Sequence, residues 1–516
     1  MGGCIPGAVL VGRCNESFVG SVYFHALDWA IVMAYFALVT WIGHSVKDLQ
    51  GSTREYFLGS RSLPWYAVAM SIVATAVSGV TFIGVPSLVF AQEGDFRYLQ
   101  FCLAGLISKA ILGQWILPRL YEKNYASPYD YIRDKLGPIF GKISAFLFFI
   151  GAVLGQGVRV FAVALVLELL TGLDFIGCVF LSVGVSALST MLGGIRAVVW
   201  SDVVQFVMFV AGGVIAILYV THGYPDGFSG LWTAAESEGK TRILEWSTDP
   251  RVNFTLWAGV FAMPFQNLAA YGTDQLNTQR MLCCKSVREA RLALYVSNFG
   301  ELVVVLFLLV GVALWGFYQF NPIDPAFASL VAANVDRIFP AFILSEMPTG
   351  LRGFMVAALF AAAMSSPVLS ALSETTITMF HDGHRRGELS EAKAVTLSRI
   401  LVIAWAIVLG GFAMALSGSD ERLIPLAFAM TAYTYGPMLG LFLLALFVPK
   451  HRITSAPLGV AVALVGVLLV HNAQFFGLTE QRELVAFPWL FPLGVILCLT
   501  FSVLPWGSRR PLSSST

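Results

Sequence analysis

Thirteen stretches of this chain run for close to twenty residues or more with almost no charge. They fall at about 25–46, 64–90, 97–118, 139–170, 173–192, 198–221, 253–276, 289–319, 351–380, 394–416, 421–448, 454–472 and 486–506. About twenty apolar residues span the hydrocarbon core of a bilayer as a helix. None of the stretches shows the short alternating pattern of a membrane β-barrel. Hydrophobic residues make up 57% of the 516, and charged residues only 12%. A soluble domain carries about 25% charge, so a soluble enzyme, a disordered chain and a disulfide scaffold are excluded. The expectation is an all-α membrane protein of about 13 transmembrane helices.

Basic residues set an orientation. With the N-terminus outside, 21 of the 32 Lys and Arg fall on the inner side and 9 on the outer, with Lys109 and Arg159 inside helices. That asymmetry places the C-terminus in the cytoplasm. A plasma (inner) membrane location is expected, with the lipid bilayer as the surroundings. The balanced total, 32 basic against 31 acidic, implies no nucleic-acid partner, and nothing in the sequence points to an obligate protein partner. Cys4 and Cys14 precede the first apolar stretch and are placed to pair if that end is outside. Asn15-Glu16-Ser17 and Asn253-Phe254-Thr255 are outer-side glycosylation sequons, relevant only in a eukaryotic secretory pathway.

Two spans are punctuated in their middle. Ala74-Thr75-Ala76-Val77-Ser78-Gly79-Val80-Thr81-Phe82-Ile83-Gly84-Val85-Pro86 combines small residues, hydroxyls, two glycines and a proline. Ala262-Met263-Pro264-Phe265-Gln266-Asn267-Leu268-Ala269-Ala270-Tyr271-Gly272 interrupts a span five further on. Such residues weaken helix continuity. Matching breaks in two five-helix halves point to an inverted-repeat secondary transporter. A third span carries Met364-Ser365-Ser366-Pro367. Pro367 has no N–H, so the Ala363 carbonyl loses its helical donor. Hydroxyls and loosened carbonyls make neutral oxygen ligands of the kind a hard cation such as Na⁺ prefers. The alternative is that both serines bond back to their own helix.

The run Gly193-Gly194-Ile195-Arg196-Ala197-Val198-Val199-Trp200-Ser201-Asp202-Val203-Val204-Gln205 resembles a signature of the sodium:solute symporter family. Tyr56-Phe57-Leu58-Gly59, Gly272-Thr273-Asp274-Gln275 with Thr278-Gln279-Arg280, and Met364-Ser365-Ser366 resemble other motifs of that family, in the right order. The resemblance implies a LeuT-like five-plus-five inverted repeat with broken helices 1 and 6. The repeats would cover 64–221 and 253–448, after an extra N-terminal helix at 25–46 and before C-terminal helices at 454–506. It also implies a Na⁺ site made by carbonyls of Ala74, Val77 and Ala362 and the hydroxyls of Ser365 and Ser366. A second ion or coupling role, known in some members, would use Asp202 with hydroxyls one turn past the serine pair. Val368 and Leu369 stand there, so one Na⁺ per cycle is expected. The alternative for Asp202 is a salt bridge or helix-end contact.

For substrate, the resemblance implies a central cavity where Thr81, Gln100 and Asn267 match sugar-carrier positions. Ala429 replaces a sugar-binding glutamine. Ala270 replaces an aromatic gate, with Tyr271 beside it. Arg159 sits well inside its span, where an unpaired guanidinium costs several kcal/mol. Its planar fork suits a carboxylate, and it resembles a carboxylate-binding arginine of sialic-acid carriers. The alternatives are a structural pair with Glu168 or a snorkel to the outer surface. Lys109 and Glu301 are placed to pair across helices, or Glu301 to serve a proton or substrate. His381-Asp382-Gly383-His384 leads a basic loop and reads as solvated loop rather than metal site.

The expectation is a Na⁺-coupled symporter, not an enzyme. It would import a small polar, carboxylate-bearing solute (sialic acid, monocarboxylate, amino acid or vitamin) by alternating access, with Na⁺ as its coupling ion. A sodium/sugar cotransporter of the same family is the nearest alternative. An intramembrane enzyme, a sensor module and a channel are further ones.

Overall fold

The computed structural model describes residues 23–46, 53–171, 173–363, 366–381, 391–417, 422–453, 455–477 and 484–504. Cys4, Cys14, the first sequon, Ser365 and His384 lie outside them, as do the side chains of Ala362 and Ser366. Each of the thirteen apolar stretches contains helix. The helices used below are α1 (Ala26–Ser45), α2 (Trp65–Ala76), α3 (Gly79–Phe90), α4 (Cys102–Ile111), α5 (Pro128–Leu136) and α6 (Pro138–Thr171). They continue with α7 (Phe175–Gly223), α8 (Met263–Gly272), α9 (Gln275–Leu282), α10 (Gly300–Phe320) and α11 (Leu351–Ala363). The last five are α12 (Ser366–His381), α13 (Glu391–Ala415), α14 (Leu423–Phe447), α15 (Ala456–His471) and α16 (Leu490–Val503). Among the described residues, seven helices are long and apolar enough to cross a membrane, or eight if the bent α2–α3 pair is one span, with four shorter apolar helices besides.

The span read as 64–90 breaks where its sequence weakens. Val77 ends α2 at φ −84°, ψ 89°, and Ser78 is extended at φ −99°, ψ −177° before α3 begins. The two halves are bent by 55°. The later break lies elsewhere than expected. Met263 to Gly272 is unbroken helix, and the interruption falls at Thr273-Asp274. Pro264 follows directly on helical backbone, since Ala262 and Met263 are already αR, so its missing N–H falls within a continuous helical run. A π-turn over Ala258–Ala262 absorbs the register just before it. The stretches at 173–192 and 198–221 are two helices that meet at a sharp kink at Gly194 (φ 54°, ψ −157°), labelled together as α7.

That kink is where two sequence motifs meet. A Cβ on Gly194 would lie 2.7 Å from the Tyr56 carbonyl oxygen. The Tyr56 hydroxyl donates to the Thr190 carbonyl (3.1 Å), and Arg196 donates to the Gly59 carbonyl (3.0 Å) and the Ser62 hydroxyl (2.7 Å). Only glycine satisfies both the positive φ and the close approach. The core beside α3 is aromatic: Phe82 packs against Phe209, Phe307 and Phe339 with ring centroids 5.1–5.7 Å apart. At the other end of the chain, α14 and α16 approach backbone to backbone at Gly436 and Gly494. Small residues let membrane helices pack this closely.

Candidate functional site

The last four carbonyls of a helix lack internal donors. At the end of α2 two of them are met from outside. The Thr75 carbonyl accepts from Arg159 Nη1 on α6 at 2.9 Å, and the Ala74 carbonyl accepts from Gln205 on α7 at 3.5 Å. Val77, the other α2 position expected to ligate Na⁺, lines the central cavity. The second break is held by its own side chain. Asp274 caps α9, accepting from the Leu276 N–H at 2.7 Å, and its other oxygen accepts from the Tyr435 hydroxyl on α14 at 2.6 Å.

Between the two breaks lies a cavity of about 180 Å³. Thr81, Arg159, Asn267 and Tyr271 line it, joined by Gln156, Gln266, Asn277, Thr431 and Tyr435. Four of the five substrate positions expected from sequence are therefore brought together. Gln100 is the exception. It is buried with its amide donating to the Arg97 and Phe254 carbonyls (both 3.1 Å) and accepting from Glu245 N–H (3.2 Å). It braces the loop before α8 and is not among the lining residues, because its span opens with a 3₁₀ turn that aims it at that loop.

Arg159 has a single recorded hydrogen bond, to Thr75, and no carboxylate within ion-pair distance among the described residues. It does not pair with Glu168. Lys109 and Glu301 do pair, at 3.8 Å, and both reach the cavity wall. Lys109 is otherwise spent: it donates to the Ser297 carbonyl (3.2 Å) and sits 5.0 Å from the centre of the Tyr271 ring. Asp202 is buried away from the cavity in an ion pair with wholly buried Arg280 (3.1 Å), and it accepts from the Ser71 hydroxyl at 2.5 Å. This triad ties α7, α9 and α2 together.

Asp274 and Tyr435 were missed as site residues. An Asp directly after Gly-Thr at the end of an apolar run is an N-cap signal, and it locates the break that the glycine and proline content misplaced. Tyr435 had no local signal, since only the fold brings α14 to the break.

The model of the sodium:solute symporter family matches residues 56–462. The chain belongs to that family. It is accordingly a multi-pass membrane transporter, a symporter rather than an enzyme, with Na⁺ as its coupling ion. Family relatives include sodium-coupled monocarboxylate transporter 2 of Bos taurus, 29% identical over 96% of this chain and 80% of the relative. The sodium/sialic acid symporter SiaT of Proteus mirabilis is 27% identical over 90% of this chain and 94% of its own length. The fold matches a solved Na⁺-coupled sialic acid symporter in a substrate-bound outward-open state, with a TM-score of 0.81 at 22% identity, covering 93% of this chain and 97% of that one.

Proposed function

We propose that this family member imports a small carboxylate-bearing anion together with one Na⁺. The observation that carries the reading is Arg159: a guanidinium in the cavity wall, held by one backbone carbonyl, with no carboxylate within ion-pair distance among the described residues. A fork so placed offers its remaining donors to a planar anion. The cavity, at about 180 Å³, is smaller than the roughly 300–1,000 Å³ of drug-sized ligand sites, which favours a compact solute. Relatives named for monocarboxylates and sialic acid agree with a carboxylate cargo.

In this reading Na⁺ sits against the break, on carbonyls of Ala74, Val77 and Ala362 and the hydroxyls of Ser365 and Ser366. Thr81, Asn267 and Tyr271 position the solute around Arg159, and Gln100 acts only through the loop before α8. Asp202 is read as a tie rather than an ion ligand, since Arg280 already neutralises it. The segments 64–221 and 253–448 form the two repeats that rock during alternating access, with the N-terminus outside and the C-terminus in the cytoplasm. A thermal-stability screen of the purified protein tests the reading, using carboxylates, their neutral amides and sugars in Na⁺ or K⁺. Stabilisation by a carboxylate that requires Na⁺ and vanishes for its amide is expected. A Na⁺-requiring sugar would overturn the substrate, and hits indifferent to Na⁺ would overturn the ion site.

A further inference from the structure

Away from the cavity, α9 and α12 meet along a polar seam. Gln275 and Gln279, four apart on α9, face Ser370 and Glu374, four apart on α12. Gln275 Nε2 donates to Glu374 Oε2 at 2.6 Å and to the Ala126 carbonyl at 3.1 Å, while Gln279 Nε2 donates to the Ser370 hydroxyl at 3.4 Å and to the Phe57 carbonyl at 2.8 Å. Glu374 is 4% exposed, and both glutamines are fully buried. The seam is short of donors. Gln275 Oε1 and Gln279 Oε1 are buried with no partner, and Glu374 has no ion pair among the described residues.

Among the described side chains, the charges on the elements packed against α12 have other partners or make no ion pair with Glu374. On α7, Asp202 pairs with Arg280 of α9, and Arg196 is held by Gly59 and Ser62. On α6, Arg159 is held by Thr75, and Lys142 makes no ion pair with Glu374. Lys393 and Arg399 of α13 make none either, and Glu55 and Glu168 have interactions of their own. Among the described residues, Asp130, Tyr129 and Cys283 lie within electrostatic reach of Glu374, and none of these is a cation. An ionised carboxylate buried with no counter-charge is strongly disfavoured.

We propose that Glu374 is a proton-binding site between α9 and α12. It holds a proton while the two helices are packed and exchanges it when they separate. A proton suits the seam better than a metal ion. The glutamine N–H groups already point at Glu374 and Ser370 and would repel a cation there, whereas a carboxyl O–H supplies the donor that the orphaned Gln275 oxygen lacks. The site stands eight residues beyond Ser366, about 12 Å along the same helix, so motion of α12 reaches both. It goes beyond the solute reading and holds whichever anion is carried.

Infrared difference spectra of the purified protein against Glu374→Gln, in Na⁺ from pH 6 to 8, test it. A protonated-carboxyl C=O stretch that shifts in D₂O is expected in the wild type and lost in the variant. Glu374→Gln is expected to fold normally, because an amide mimics a protonated acid. A purely ionised carboxylate signal, or a variant that fails to fold, would overturn the proposal. At a fixed Na⁺ gradient, solute uptake is expected to differ at least threefold between internal pH 6 and 8 in the wild type and to be flat in Glu374→Gln; equal pH dependence in both would overturn the exchange step. Failure of the anion screen leaves the infrared result decisive by itself.

Discussion

Arg159 is half-buried and Arg280 wholly buried in a membrane protein, and their surroundings give them opposite roles. Arg280 is wholly buried and neutralised: Asp202 lies 3.1 Å away, and the Leu276 carbonyl accepts from it as well. Removing one member of such a pair strands a charge, at a cost of about 3–5 kcal/mol. Asp202→Ala is therefore expected to destabilise the protein by that amount in denaturant unfolding. The double change Asp202→Leu/Arg280→Met should recover most of it. Recovery of stability without recovery of Na⁺ dependence would show that Asp202 has an ion role besides. Arg159 has no such partner among the described residues, which leaves its fork to a solute. Arg159→Lys keeps the charge but loses the fork. A charge-assisted hydrogen bond is worth about 1.5–3 kcal/mol, so the KM for a carboxylate should rise roughly 10- to 150-fold. An unchanged KM would remove Arg159 from the solute site.

At the scale of helices, each of the thirteen apolar runs contains helix, and seven of the described helices, or eight with the bent pair, are long and apolar enough to span, because a bilayer demands length and hydrophobicity and both are local properties. The first break was legible for the same reason: Ser78 and Gly79 sit among small residues. The second was misplaced because Pro264 looks disruptive in sequence, yet a π-turn over Ala258–Ala262 accommodates it without ending the helix. The break is set instead by Asp274, whose two oxygens serve a helix N-terminus and a tyrosine on another helix. Asp274→Ala should cost about 1 kcal/mol for the cap alone, plus the Tyr435 bond. Asp274→Asn, which keeps a capping oxygen, should cost clearly less in thermal unfolding. Equal losses would mean that the charge, not the cap, matters. The closeness of α14 to α16 is a third feature of this scale: a Cβ on Gly436 would come within 2.8 Å of the Gly494 Cα. Gly436→Val should lower the unfolding midpoint well beyond Ala463→Val, a buried position on the neighbouring α15; equal effects would mean that this approach carries little of the packing.

For the molecule as a whole, the motifs named the family before any contact was known, and the four cavity residues Thr81, Arg159, Asn267 and Tyr271 followed from it. Gln100, Asp274 and Tyr435 did not, since what each side chain faces depends on helices distant in sequence. Coupling adds a constraint of its own. One Na⁺ moving with one monovalent anion transfers no net charge, so the membrane potential, worth about 2.3 kcal/mol per charge per 100 mV, adds nothing to the drive. The Na⁺ gradient alone would power uptake. The most direct test is uptake of a radiolabelled monocarboxylate into proteoliposomes under an inward Na⁺ gradient, with the potential clamped at several values, for the wild type and Arg159→Gln. The account predicts uptake that requires Na⁺, ignores the potential and is lost in Arg159→Gln. Uptake that persists without Na⁺, or survives intact in Arg159→Gln, would contradict it.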